Sequence, residues 1–167
     1  MNKILLFLSL IVICKTSTAQ YYVSLAPSLT NTAGTISEKS NIALELGKQW
    51  DVFSMGIDFG KTTLTKITGR DTSNYIELRP NLNIFQVGKF TNTFTAGIGY
   101  VFTAKENLLT ELTYGIEYAY TLQFHFNTFF GQYYYSGKTS ASNVSFFGIS
   151  AMFYFTPNHA GQPTKEK

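Results

Sequence analysis

The chain has 167 residues, 44% of them hydrophobic, 16% aromatic and only 14% charged, with a formal net charge of +3. This balance excludes a disordered, charge-rich chain, and a charge of +3 with no basic run argues against a dedicated nucleic-acid binder. The length suits one domain. A mean hydropathy near zero in so charge-poor a chain means that something holds solubility down or sets apolar surface against something other than water.

The first predicted element is a secretory signal. Met1 to Lys3 is a short basic start, residues 4–14 are apolar apart from Ser9, and small residues follow at Ser17 and Ala19. The apolar run is too short for a membrane-spanning helix, which needs about 20 residues. Cleavage is expected after Ala19, giving a signal segment over 1–19. Acylation at Cys14 is the alternative, but Ile13 before it is not a small residue. Cleavage removes the only cysteine, so the mature chain has no disulfide. Loss of Lys3 and Lys15 also brings the net charge down to +1.

Period-two alternation then runs through almost all of the chain, the pattern of strands whose two faces meet different surroundings. Eight strands are predicted, over about 20–29, 40–48, 51–61, 74–86, 91–104, 108–124, 128–136 and 143–156. Phe53, Met55, Ile57 and Phe59 share one face, opposite Ser54, Gly56, Asp58 and Gly60. Phe94, Ala96, Ile98, Tyr100 and Phe102 oppose Thr93, Thr95, Gly97, Gly99 and Val101. Leu112, Tyr114, Ile116, Tyr118 and Tyr120 oppose Glu111, Thr113, Gly115, Glu117 and Ala119. The segment 129–136 is the least regular, because Gln132 interrupts Phe130 and Tyr134. Pro27 and Pro80 fall within strands, so a bulge or an early strand end is expected at each.

The face opposite the apolar one is rich in Gly, Ser, Thr and Asn, where a soluble sandwich would carry Lys, Glu and Arg. The connections alternate between short and long, with 104–107 shorter than the trend. Together these features predict an all-β fold: an eight-stranded antiparallel up-and-down transmembrane β-barrel over residues 20–156, with a flexible tail over 157–167. Tyr21, Trp50, Phe90, Phe94, Tyr100, Phe102, Tyr118, Tyr120 and Phe155 are candidates for interfacial girdles. Residues 147–155, Phe-Gly-Ile-Ser-Ala-Met-Phe-Tyr-Phe, form an aromatic-ended last strand.

On the signal, the eight alternating segments and this closing segment, the chain resembles small eight-stranded outer-membrane β-barrel proteins of Gram-negative bacteria. The resemblance implies residence in the outer membrane, contact with membrane lipid and lipopolysaccharide, and assembly by the barrel-assembly machinery. It departs from the pattern in the twelve residues that follow Phe155.

Six charged residues fall on the inward phase: Glu45, Asp58, Glu77, Arg79, Glu111 and Glu117. An isolated charge in a confined lumen is costly, so they are expected to form a polar network. Arg79 is placed among Glu45, Asp58 and Glu117, with Tyr75 and Asn81 nearby. Eight strands leave an interior that side chains fill, so the lumen is expected to be closed. The loops 30–39, 62–73 and 136–142 are the expected outer surface, with Lys66, Arg70 and Asp71 as candidate contacts for an extracellular ligand. No metal or cofactor motif stands out, and a non-enzymatic structural or surface-binding role is the main expectation. One alternative is a lipid A deacylase-like enzyme centred on His125, although no Ser lies two residues on and a hydroxyl partner would have to come from elsewhere, for example Thr128. The other is a soluble, lipocalin-like binder, which requires Phe53, Met55, Ile57 and Phe59 to point inward.

Overall fold

The computed structural model describes residues 19–32, 35–36, 40–66, 69–102, 107–137 and 143–156, with side chains described for all but 32, 35, 63–66, 69–72, 107 and 137. The expected signal segment up to residue 18 and the expected tail 157–167 lie outside the described residues. The strands are β1 (Gln20–Thr32), β2 (Thr35–Ile36), β3 (Asn41–Trp50), β4 (Phe53–Lys66), β5 (Gly69–Val87), β6 (Phe90–Val101), β7 (Asn107–Ala119), β8 (Phe124–Gly137) and β9 (Val144–Tyr154). Each long strand pairs antiparallel with the next, and β1 pairs with β9 to close an eight-stranded barrel. The two-residue β2 extends the end of β1, with Asn31 opposite Ile36. A closed sheet leaves no edge, so the ladder groups of the wall are paired within it.

The two faces have opposite chemistry. Leu25, Leu44, Leu46, Ile57, Phe59, Ile98, Leu112, Ile116, Phe147 and Ile149 are exposed on the outer wall. Ser24, Gln49, Ser54, Asp58, Glu77, Thr93, Thr95, Glu111, Thr113 and Ser150 are buried in the interior. Met55, Ile57 and Phe59 therefore point outward, which removes the interior apolar site that the lipocalin-like alternative needed.

Both prolines differ from expectation: neither makes a bulge or ends a strand. Pro27 keeps its place opposite Ile42 on the β3 side, while the β1–β9 ladder skips from Leu25–Ala151 to Ser28–Gly148. Pro80 pairs with Met55 on the β4 side, while the β5–β6 ladder skips from Leu78–Ile98 to Asn81–Thr95. A proline lacks one donor, so the loss is confined to the one ladder its nitrogen faces. The bulge in β5 lies instead between Asn83 and Phe85. The extra residue flips the alternation, and Phe85 joins Ile84 on the exposed surface.

Two boundaries also move. β7 stops at Ala119 and β8 begins at Phe124, not at 128. The intervening turn is held by the Thr121 hydroxyl, which accepts from the backbone N–H of Gln123 at 3.2 Å and of Phe124 at 2.9 Å. The segment 62–73 is mostly ladder: β4 and β5 stay paired up to Lys66 opposite Gly69. Thr62 to Thr65 lie opposite Ser73 to Arg70 on two paired strands, and this removes the expected long loop. At the opposite end of the barrel the connections are tight turns at Asp51–Val52 and Gly88–Lys89. Gly88 supplies the positive φ of 61° that its turn needs, and Asp51 adopts φ 45°, a region Asp tolerates better than most residues.

Candidate functional site

The lumen is layered from the tight-turn end to the hairpin end. At the turn end, His125 at the start of β8 lies beside Glu117 near the end of β7. The His125 Nδ1 and Glu117 Oε1 are 2.5 Å apart, and the ring lies 4.8 Å from that of Tyr154, centroid to centroid. His125 is 0% exposed.

The middle layer is built around Arg79 of β5. Its guanidinium donates to Glu45 Oε2 at 2.7 Å and to Glu111 Oε1 at 2.8 Å. The Tyr22 hydroxyl donates to the other Glu45 oxygen at 2.5 Å, and Thr113 Oγ1 donates to Glu111 at 2.5 Å. The Tyr75 hydroxyl donates to Asp58 at 2.6 Å. Charge-assisted bonds of this kind are the strong ones, and a fork spanning β3 and β7 ties opposite walls together. The layer fits because two strands carry glycine where long acids must lie. A Cβ at Gly56 would meet the Glu45 side chain, with Cδ at 2.7 Å, and a Cβ at Gly97 would meet Glu77, with Cδ at 2.6 Å. Glu77 is 1% exposed and its carboxylate accepts no hydrogen bond among the described residues. A polar cavity of about 40 Å³ beside Arg79, Thr95 and Glu117 has room for one or two water molecules.

The hairpin end is closed differently. Tyr75, Val101, Leu109, Tyr133, Val144 and Phe146 form one buried cluster, joined by Ala26 and Phe129. Tyr133 stacks on Phe146 at 4.1 Å and 19°. Above it the Thr62 and Tyr135 hydroxyls meet at 2.5 Å across the barrel.

All six charged residues assigned to the lumen by alternation face it, but two expected partners of Arg79 change. Glu117 lies six residues from Glu111 along β7, about 20 Å at the usual strand rise, and pairs with His125. Asp58 is taken by Tyr75. Asn81 bonds Ser54 and Thr95 instead of Arg79. Lys66, Arg70 and Asp71 lie on the β4–β5 hairpin, and their side chains fall outside the described ones. Tyr22, Thr113 and the aromatic layer were missed from the network, although Tyr133, Tyr135 and Phe146 already stood on the inward phase. Among the described residues no group of three His, Cys, Asp or Glu side chains has a metal-holding geometry. On the outer wall, the expected girdle residues Tyr21, Phe90, Phe94, Tyr100, Phe102, Tyr120 and Phe155 are exposed.

Two solved structures share the fold. The crystal structure of Neisserial surface protein A matches with a TM-score of 0.55 at 11% identity, over 81% of this chain and 95% of that one. The crystal structure of the N-terminal β-barrel domain of Pseudomonas aeruginosa OprF matches with a TM-score of 0.55 at 12% identity, over 81% of this chain and all of that one (100%). No protein-family model and no curated protein matches the chain.

Proposed function

We propose that this chain is a non-enzymatic β-barrel of a Gram-negative outer membrane, with a sealed lumen, that stabilises the envelope or presents its hairpin end to extracellular partners. The observation that carries the reading is the reversal of the two faces: an apolar wall with Ile57, Ile98 and Ile149 exposed, around an interior holding Arg79, Glu45 and Glu111. Water around that wall would leave a continuous apolar surface unpaired with anything, whereas lipid needs no further layer over it. A membrane barrel of this size has its tight turns in the periplasm, so the β4–β5 hairpin with Lys66, Arg70 and Asp71 faces outward among lipopolysaccharide. The barrel-assembly machinery would insert it, reading the aromatic end of β9.

The sealed lumen supports a structural role over a transport role. Arg79 bridges the walls at mid-height, and Tyr133 and Phe146 close the hairpin end. The enzyme alternative loses its support because His125 is buried in the lumen against Glu117, away from the bilayer. Membrane fractionation with heat-modifiable gel mobility tests the reading. Recovery in the outer membrane, with a folded form that migrates apart from the boiled one, is expected; a freely soluble secreted protein overturns it. In planar bilayers the folded barrel should give no conductance steps, and a steady open channel would refute the sealed lumen.

A further inference from the structure

The outward phase of β3 runs Ile42, Leu44, Leu46, Lys48, Trp50, so this strand carries one ammonium on the lipid-facing wall, at its tight-turn end. Lys48 lies opposite Tyr21 on β1 and Met55 on β4, two residues from the Trp50 that ends the strand at the tight turn. Its Nζ is 5.2 Å from the ring centroid of Tyr21 and 5.2 Å from that of Trp50. Two aromatic faces hold the charge at the level where a lysine stem reaches from the apolar wall to the headgroups. No carboxylate of the described residues forms an ion pair with it.

Beside Lys48 a groove of about 690 Å³ opens in the wall. Gly47 and Gly56 face one another across β3 and β4 at its floor, and Leu46, Ile57 and Leu78 flank it toward mid-wall. Its volume lies in the range of small-molecule sites, and its lining is apolar except at the Lys48 end. An occupant must therefore be anionic at the rim and hydrocarbon below.

We propose that this groove is a binding site for one anionic glycerophospholipid of the periplasmic leaflet, with its phosphate on the Lys48 ammonium between Tyr21 and Trp50 and an acyl chain along Leu46, Ile57 and Leu78. The inference rests on the membrane reading above, and charge complementarity selects the occupant. A neutral-headgroup lipid would fill the hydrocarbon part and leave the Lys48 donors with a zwitterion, whose own cation opposes them. The lipid would act as a fixed annular partner at the seam of β1, β3 and β4.

The test uses the folded barrel in neutral detergent, equilibrated with an equimolar mixture of phosphatidylglycerol and phosphatidylcholine, with retained lipid counted by native mass spectrometry. Heat-modifiable mobility establishes separately that each variant is folded, so failure of the barrel is distinguishable from failure of the site. The wild type should retain one phosphatidylglycerol in preference to phosphatidylcholine. Lys48→Gln should lower that preference about tenfold, the scale of a lost charge-assisted contact, and Lys48→Arg should keep it. Ile57→Trp should expel the lipid with Lys48 intact, by filling the groove. Lys61→Gln, on the same wall toward the hairpin end, should change nothing. Unselective retention by the wild type, equal retention by Lys48→Gln, or an equal loss in Lys61→Gln each overturns the proposal.

Discussion

From its middle to the tight turns the lumen is held by directional contacts, whereas beyond Tyr75 it is filled by shape. In the first region Arg79 reaches Glu45 and Glu111 at 2.7 and 2.8 Å, Tyr22 binds the other Glu45 oxygen, and Thr113 shares with Arg79 the same Glu111 oxygen. In the second, Tyr133, Phe146, Leu109, Val101 and Val144 pack with few hydrogen bonds among them. The two solutions respond to damage differently. Removing one member of a buried ion network leaves the others uncompensated, while trimming a packed ring leaves a void that neighbours partly fill. The contrast also follows position. The charged layer ties opposite walls at mid-height, and the aromatic layer caps it on the side of the extended hairpin.

The two regions should differ most in their response to loss of Arg79. Arg79→Met should cost about 3–5 kcal/mol in a urea titration of the micelle-embedded barrel followed by gel mobility, because Glu45 and Glu111 are left facing each other. Adding Glu45→Gln and Glu111→Gln to the same chain should recover part of that loss; a triple variant as unstable as the single one would show that the layer acts through volume alone. In the aromatic layer Phe146→Ala should cost about 3 kcal/mol by the same titration, through loss of its stacking on Tyr133 and the cavity left behind. A loss below about 1 kcal/mol there would mean that the hairpin end is not closed by packing. The smallest effect is expected from Gly56→Ala. Its new methyl group presses on Glu45 and should cost about 1–2 kcal/mol, since a flexible acid can yield where backbone cannot. If Gly56→Ala and Arg79→Met together cost no more than Arg79→Met alone, the glycine serves the ion network, as its position under Glu45 implies.

Much of the barrel was legible because the signal is local. A strand turns each side chain away from its neighbours, so Phe53 to Phe59 and Leu112 to Tyr120 announce an outer and an inner face without any knowledge of partners. The six lumen charges followed from the same parity. What failed were features without a parity signature. The Asn83–Phe85 bulge changes phase by one residue, and nothing in Asn-Ile-Phe marks it. The turn at 120–123 hid behind continued alternation, although Thr121 was a readable turn residue. Lys48 could have been found by asking which basic residue shares the phase of Leu44 and Leu46. The expected long loop at 62–73 followed from the alternation of short and long connections, but that alternation does not tell an open loop from an extended paired hairpin.

Alternation alone settled the class of the fold, the chemistry of the two faces and which side chains enter the lumen, because it is a property of the extended backbone. It did not determine who meets whom inside. Glu45, Asp58, Glu111 and Glu117 all share the inward phase, and their order gives no ranking as partners for Arg79. That choice depends on the stagger between strands around the closed wall, which sets the height of each carboxylate. Closure also decided which rungs Pro27 and Pro80 would forfeit and where the wall would leave a groove beside Lys48, since both depend on neighbours that are remote in sequence and adjacent only in the barrel.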